Sequence, residues 1–239
     1  IRRLLIQAVI WFPLALPLYL IRFRIGPLPT TLLEVLLLAF FVVFTVVGKG
    51  EGWKMGWKRV AGWRVLMIAW TMVTLFAAFM APHLVSGLGL WRAYILEPIL
   101  VFICLSALLT EDEQKQKLAR SFLLVVFPLV AWAVFQFLTG KGIPHPWDVS
   151  IAAGRRATGP YPYPNALALF ITPIIAYAFA RWVREPRQKL PMITFVTGIL
   201  GILLVRSDGG LIATIVVAAL VLLGVRWGRR IFVALMGGG

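Results

Sequence analysis

Apolar residues run along this chain in long blocks with no polar face of helical period, separated by short polar or basic segments. A helix needs roughly 20 mostly apolar residues to cross a bilayer. On that measure the sequence predicts eight spans, with apolar cores at 4–21, 32–47, 65–80, 94–109, 122–138, 166–180, 191–205 and 211–225. A ninth run opens at Ile231 and is cut off after Met236 by Gly237, Gly238 and Gly239. The expected fold is therefore all-α: one polytopic transmembrane helix bundle over 1–239, with about eight complete spans and a truncated ninth. With Ile1 at its start, the chain reads as the N-terminal portion of a longer protein.

Composition agrees with the pattern. Of 239 residues 61% are hydrophobic and 14% charged, against about 25% charged in soluble domains. The net charge of +15 comes from 24 Lys and Arg against 9 Asp and Glu, placed in clusters between apolar runs. That placement argues against a nucleic-acid partner and for a topology signal. With the N-terminus inside, 17 of the 24 cations fall in inside segments and 7 outside. Pro13 and Pro17 bend the first span; if that span is re-entrant the count becomes 15 against 9, and the orientation of everything downstream stands. The segment 191–225 is interrupted by Arg206-Ser207-Asp208-Gly209-Gly210 and is read as a hairpin of two short crossings, because one long helix would worsen the distribution to 14 against 10.

The chemistry on offer lies in the outer segments. The loop at 139–164 contains Arg155-Arg156-Ala157-Thr158-Gly159-Pro160-Tyr161-Pro162-Tyr163-Pro164-Asn165. Alternate prolines stiffen the run and present Tyr161 and Tyr163. Asn165 is placed to cap the sixth span, and with Arg155 and Arg156 just upstream its helix N-terminus suits a phosphate. The competing reading is an interfacial loop whose tyrosines join the aromatic belt and whose arginines meet lipid headgroups. Arg206 and Asp208 read equally as an ion pair fixing the hairpin or as part of a binding site. Arg92, Tyr94 and Glu97 open the fourth span; Glu97 is expected to bond away from Arg92, and Glu34 has the same ambiguity between structure and chemistry. His83 and His145, 62 positions apart, and the single Cys104 form no metal-ligand pattern, and Gly-Lys-Gly-Glu-Gly-Trp at 48–53 lacks the spacing of a phosphate loop. No cofactor is expected.

The run Arg156-Ala157-Thr158-Gly159-Pro160-Tyr161-Pro162-Tyr163-Pro164-Asn165-Ala166-Leu167-Ala168, followed by Arg206-Ser207-Asp208-Gly209-Gly210, resembles the O-antigen ligase and polymerase superfamily of bacterial membrane proteins. Pro29-Thr30-Thr31-Leu32-Leu33-Glu34 and Gly89-Leu90-Trp91-Arg92-Ala93-Tyr94-Ile95-Leu96-Glu97-Pro98 resemble the starts of its second and fourth spans. The resemblance implies a metal-independent glycosyltransferase of the bacterial inner membrane, N-terminus cytoplasmic. Such an enzyme moves a glycan from a polyprenyl diphosphate carrier to an acceptor, lipid A core or growing polysaccharide, at the periplasmic face. It implies that Arg155 or Arg156, with Arg206, holds the diphosphate, and that Tyr161 and Tyr163 stack on a sugar or line the carrier's path. Asn165, Arg92 and Glu97 complete the candidate binding set. The family's catalytic histidine belongs to a large loop beyond the spans seen here, and where many members read Ser-Arg-Gly this chain reads Arg-Ser-Asp-Gly. The rival readings are a polytopic transporter and a carrier-binding scaffold without catalysis.

Overall fold

A computed structural model describes residues 2–26 and 28–224. The run beginning at Ile231, and Arg226, Arg229 and Arg230, lie outside the described residues. Ten α-helices account for most of the described residues. The chain divides into two compact units, Ile1–Ala119 and Arg120–Gly239.

In the first unit, α1 (Arg2–Ala15) continues through a 3-10 turn (Leu16–Leu20), Pro13 and Pro17 being absorbed without ending the run. Counting both units, five helical runs among the described residues are long and apolar enough to cross a membrane: Arg2–Leu20, Ala61–Phe79, Leu84–Leu108, Asp112–Thr139 and Pro164–Arg184. A sixth is α2 (Leu32–Val47) if it is joined to α3 (Glu51–Arg59), from which it is bent by 105°. The turn between them carries Lys49 and Gly50 at positive φ, 45° and 78°. The helical expectation holds, but among the described residues five or six helices, against the eight spans expected, have the length and apolarity to cross a membrane, and the all-α reading meets one exception. Between α1 and α2 stands a small antiparallel hairpin, β1 (Arg22–Ile25) on β2 (Leu28–Thr31), with Arg22 opposite Thr31 and Ile25 opposite Leu28. Gly26 supplies its left-handed turn residue at φ 59°.

Helix α4 (Arg64–Phe79) turns through Pro82 into α5 (Leu84–Trp91). Gly87 lies so close to α4 that a β-carbon there would stand 2.6 Å from the Ala78 carbonyl oxygen. The fourth apolar run thus starts at Leu84, ten residues before the Tyr94 boundary expected from sequence. It passes through a π turn (Arg92–Leu96) into α6 (Glu97–Leu108). Only 6% of the hydrophobic window of Ala61–Phe79 is covered by protein; Val65, Val73 and Phe76 face outward at 82%, 65% and 66% exposure. Water is a poor solvent for such a surface, and lipid a good one. The unit's core is small: Leu5, Val9 and Ile10 of α1 meet Phe44, Cys104, Ala107 and Leu108.

In the second unit, α7 (Asp112–Thr139, from Arg120 on) and α8 (Pro164–Arg184) are the more deeply packed helices, with 39% of each hydrophobic window buried. Helices α9 (Lys189–Val205) and α10 (Asp208–Gly224) are separate and shorter, 17 residues each, so the segment read as a hairpin is broken as expected. The break is Arg206 in the left-handed region, φ 50° and ψ 53°, followed by Ser207, whose Oγ accepts from the Gly210 amide at 3.3 Å and starts α10. Close approach of α8 and α9 depends on small residues. A β-carbon on Gly198 would come within 2.0 Å of Ile175 Cγ2, and one on Gly201 within 2.8 and 2.9 Å of Val130 and Ile171.

Candidate functional site

The second unit holds a half-open cavity of about 520 Å³ with a polar mouth and an apolar wall. The mouth is made by Arg156, Asn165, Arg206, Ser207 and Asp208; the wall by Ala168, Leu169 and Pro173 of α8 with Ala213 of α10. Positions 165, 168, 169, 172 and 173 recur at helical spacing, so one stripe of α8 runs from the charged end into apolar surroundings.

Arg156 arrives on an extended segment that pairs with the end of α9: the Ala157 amide donates to the Leu204 carbonyl at 3.0 Å. Three contacts fix its guanidinium. Nε donates to the Val205 carbonyl at 2.9 Å, Nη2 donates to Asn165 Oδ1 at 3.0 Å, and the group lies 4.9 Å from the centroid of the Trp147 ring. A planar fork with five donors meets all three and still has N–H groups for the cavity. Arg206 is exposed; its amide donates to the Leu203 carbonyl at 3.2 Å, and its guanidinium makes no hydrogen bond or ion pair to another described residue. Its Nη1 stands 3.2 Å from where a β-carbon of Gly154 would be, and Gly154 is at φ 96°. Asp208, in the first turn of α10, makes no ion pair with Arg206 among the described residues. The arginines reach one cavity from segments far apart in sequence, beside the N-termini of α8 and α10, where partial positive charge favours an anion.

The other candidates fall elsewhere. Arg155 Nε donates to the Val149 carbonyl and Nη1 to the Phe137 carbonyl, at 2.8 and 2.9 Å, so it staples the loop and does not line the cavity. Tyr161 is 3% exposed and packs against Phe170 at 6.0 Å between ring centroids. Tyr163 is exposed and forms the residue before α8. Asn165 does not cap that helix: Pro164 takes the first helical position, its fixed φ suiting it to start a helix, and Asn165 becomes the second, free to accept from Arg156.

Arg92, Glu34 and Glu97 form a separate cluster in the first unit. Arg92 Nη2 meets Glu34 Oε2 at 2.8 Å, and Nε lies 3.4 Å from Glu97 Oε1. Glu97 pairs with Arg92 only loosely, with no hydrogen bond to Nε, and the bond elsewhere in the bundle that was expected of it is not found among the described residues. The π turn, in which residue i+5 returns above residue i, keeps the two side by side, the Glu97 amide itself bonding the Arg92 carbonyl. Glu34 also accepts from Thr30 Oγ1 at 2.7 Å and from the Thr31 amide at 3.1 Å, closing a capping box on α2. His145 pairs with Asp148 at 3.3 Å on the exposed loop.

Two residues that matter here escaped the sequence reading. Trp147 underlies Arg156, and nothing in a Pro-Trp-Asp run signals that. Gln136, wholly buried in α7, donates to the Gly142 and Gly159 carbonyls at 2.7 and 2.8 Å and accepts from the Thr158 and Gly159 amides at 2.9 and 2.7 Å, clamping the loop that carries Arg156. Its signal was available: it is an amide inside an otherwise apolar span. No family model, curated protein or solved structure matches the chain.

Proposed function

We propose that the chain is the carrier-binding part of an O-antigen ligase-like glycosyltransferase. It holds a polyprenyl diphosphate-linked glycan at the outer face of the bacterial inner membrane, in an eight-span bundle whose N-terminus is cytoplasmic. The observation that carries this reading is the convergence of Arg156 and Arg206 on one cavity with an apolar wall along α8 and α10. A diphosphate needs fixed cationic donors, and its lipid needs an apolar path beside them.

In the reaction an acceptor hydroxyl attacks the anomeric carbon of the first sugar, the bond from that carbon to the diphosphate oxygen breaks, and the acceptor proton leaves. Charge accumulates on the departing diphosphate. Arg156, already aligned by Asn165, Val205 and Trp147, stabilises that charge without reorganising, which is where preorganised donors act most strongly. Arg206, without a competing partner among the described residues, supplies the second cation. No residue of this chain is assigned as the base. The resemblance, the excess of Lys and Arg in the inside segments and the cavity support the reading together.

The test is glycan transfer by the full-length protein from a polyprenyl diphosphate donor. Arg156→Ala and Arg206→Ala should each abolish transfer while the protein still inserts and purifies as a folded species. Normal transfer in both variants would overturn the assignment. A wild-type protein that moves lipid across the membrane but transfers no glycan would favour the transporter reading.

A further inference from the structure

The segment after α2 has features that the carrier site does not use. Helix α2 ends at Val47, and α3 leaves it at 105°, so if α2 crosses a membrane α3 lies almost parallel to the surface. Three apolar helices meet at this end. α2 stops here, α4 starts here at Arg64, and the last turn of α6 is held by Arg59, whose Nη1 donates to the Ser106 carbonyl at 2.9 Å. One face of α3 is seated on protein. Trp53 packs edge-on to Phe44 and donates to Thr45 Oγ1, and Gly56 lies so close to α6 that a β-carbon would stand 2.4 Å from the Ile103 carbonyl oxygen.

The opposite face has no covering element among the described residues. Lys54, Met55 and Lys58 are exposed there, with Trp57 and Trp63 beside them. Across 49–64 there are five cations against one carboxylate, Glu51. Arg64 is folded back by two hydrogen bonds to the Trp57 carbonyl, at 2.8 and 2.7 Å, with its guanidinium 5.3 Å from the Trp57 ring. Lys54 Nζ pairs with Glu51 Oε1 at 2.7 Å on the exposed surface and keeps two further N–H groups, and the Lys58 side chain has no partner among the described residues, so the two lysines are the outward donors, Lys58 the freer. Indole rings settle at headgroup level and lysines there meet phosphate.

We propose that α3 is an in-plane helix that binds anionic phospholipid headgroups, with Lys54 and Lys58 on the phosphates and Trp57 and Trp63 seated among the headgroups. Charge complementarity selects this occupant: a net-positive strip ordered along the surface plane fits a negative leaflet, and it attracts zwitterionic lipid much less. The inference needs only that α2 crosses a membrane, and stands apart from glycan transfer.

The test uses the full chain reconstituted in mixed phosphatidylcholine and phosphatidylglycerol vesicles at low salt, with spin-labelled versions of each lipid reporting the protein-bound fraction. The wild type should prefer phosphatidylglycerol, and Lys54→Gln with Lys58→Gln should reduce that preference about fivefold or more, the factor expected for cations near an anionic surface. Lys54→Arg with Lys58→Arg should retain it. An unchanged preference in the glutamine variant, an equal loss in the arginine variant, or no preference in the wild type would overturn the proposal. Lys58→Gln alone guards against misfolding, because Lys58 has no partner among the described residues; its loss of preference should follow the same direction, and no change would count against the proposal.

Discussion

Arg156 Nε donates to the Val205 carbonyl across 2.9 Å, a bond that ties the proline-rich loop to the last turn of α9. That carbonyl is one of the groups a helix leaves without an internal partner at its C-terminus, so the arginine satisfies the helix and the helix aims the arginine. The bond joins the loop to the segment that turns at Arg206.

A lysine at position 156 keeps the charge but cannot reach Val205, Asn165 and the Trp147 face together. Arg156→Lys should lower kcat/KM for transfer about tenfold or more, the scale of one lost charge-assisted hydrogen bond of ~1.5–3 kcal/mol. Trp147→Leu should cost less, about threefold, in line with a partly exposed cation–π contact of ~0.5–1 kcal/mol. Initial rates with a polyprenyl diphosphate donor check both.

Gln136 satisfies two carbonyls and two amides of the loop from a fully buried position. Gln136→Leu leaves those groups unpaired and should destabilise the second unit by about 2–4 kcal/mol. Gln136→Glu should do no better, because a carboxylate cannot donate to the Gly142 and Gly159 carbonyls. Thermal unfolding in detergent, compared at equal detergent concentration, reads the difference.

Gly198→Ala places a methyl group on Ile175 and should cost about 1–3 kcal/mol, the usual range for overpacking. Gly209→Ala, with open space around the new carbon, should stay within about 0.5 kcal/mol of wild type. Melting temperatures of the two variants side by side separate helix packing from a general intolerance of glycine replacement.

The two ends of α7 test orientation. Lys115 and Lys141 are exposed near opposite ends of the Asp112–Thr139 run. With the positive charge inside, Lys141→Cys should label in intact cells with a membrane-impermeant thiol reagent, and Lys115→Cys should label only after permeabilisation. The native Cys104 is buried and should remain silent in both.

Long apolar runs made the helices legible, because lipid imposes length and polarity on a span whatever its sequence details. Tertiary geometry was less so. The π turn at Arg92–Leu96 has no sequence signature, and it is what sets Glu97 beside Arg92. The fourth run starts ten residues before the expected Tyr94, and Gly87, in that earlier stretch, is the residue that lets α5 approach α4. At the cavity, Arg206 and Arg156 stood out as cations in outer segments. Which of Arg155 and Arg156 turns inward depends on loop hydrogen bonds to Val149 and Phe137, which residue identity does not encode. The cap was misplaced by one rule overriding another: Pro164 begins α8 before Asn165 can cap it.

The central claim is that Arg156 and Arg206 together hold a diphosphate on a lipid. The most direct measurement is the affinity of the full-length protein for a polyprenyl diphosphate, compared with the corresponding monophosphate, in wild type, Arg156→Ala, Arg206→Ala and the double variant. Each single variant should weaken diphosphate binding about tenfold or more and erase most of the preference over monophosphate. Equal affinity for both lipids in the wild type, or undiminished diphosphate binding in the double variant, would contradict the account.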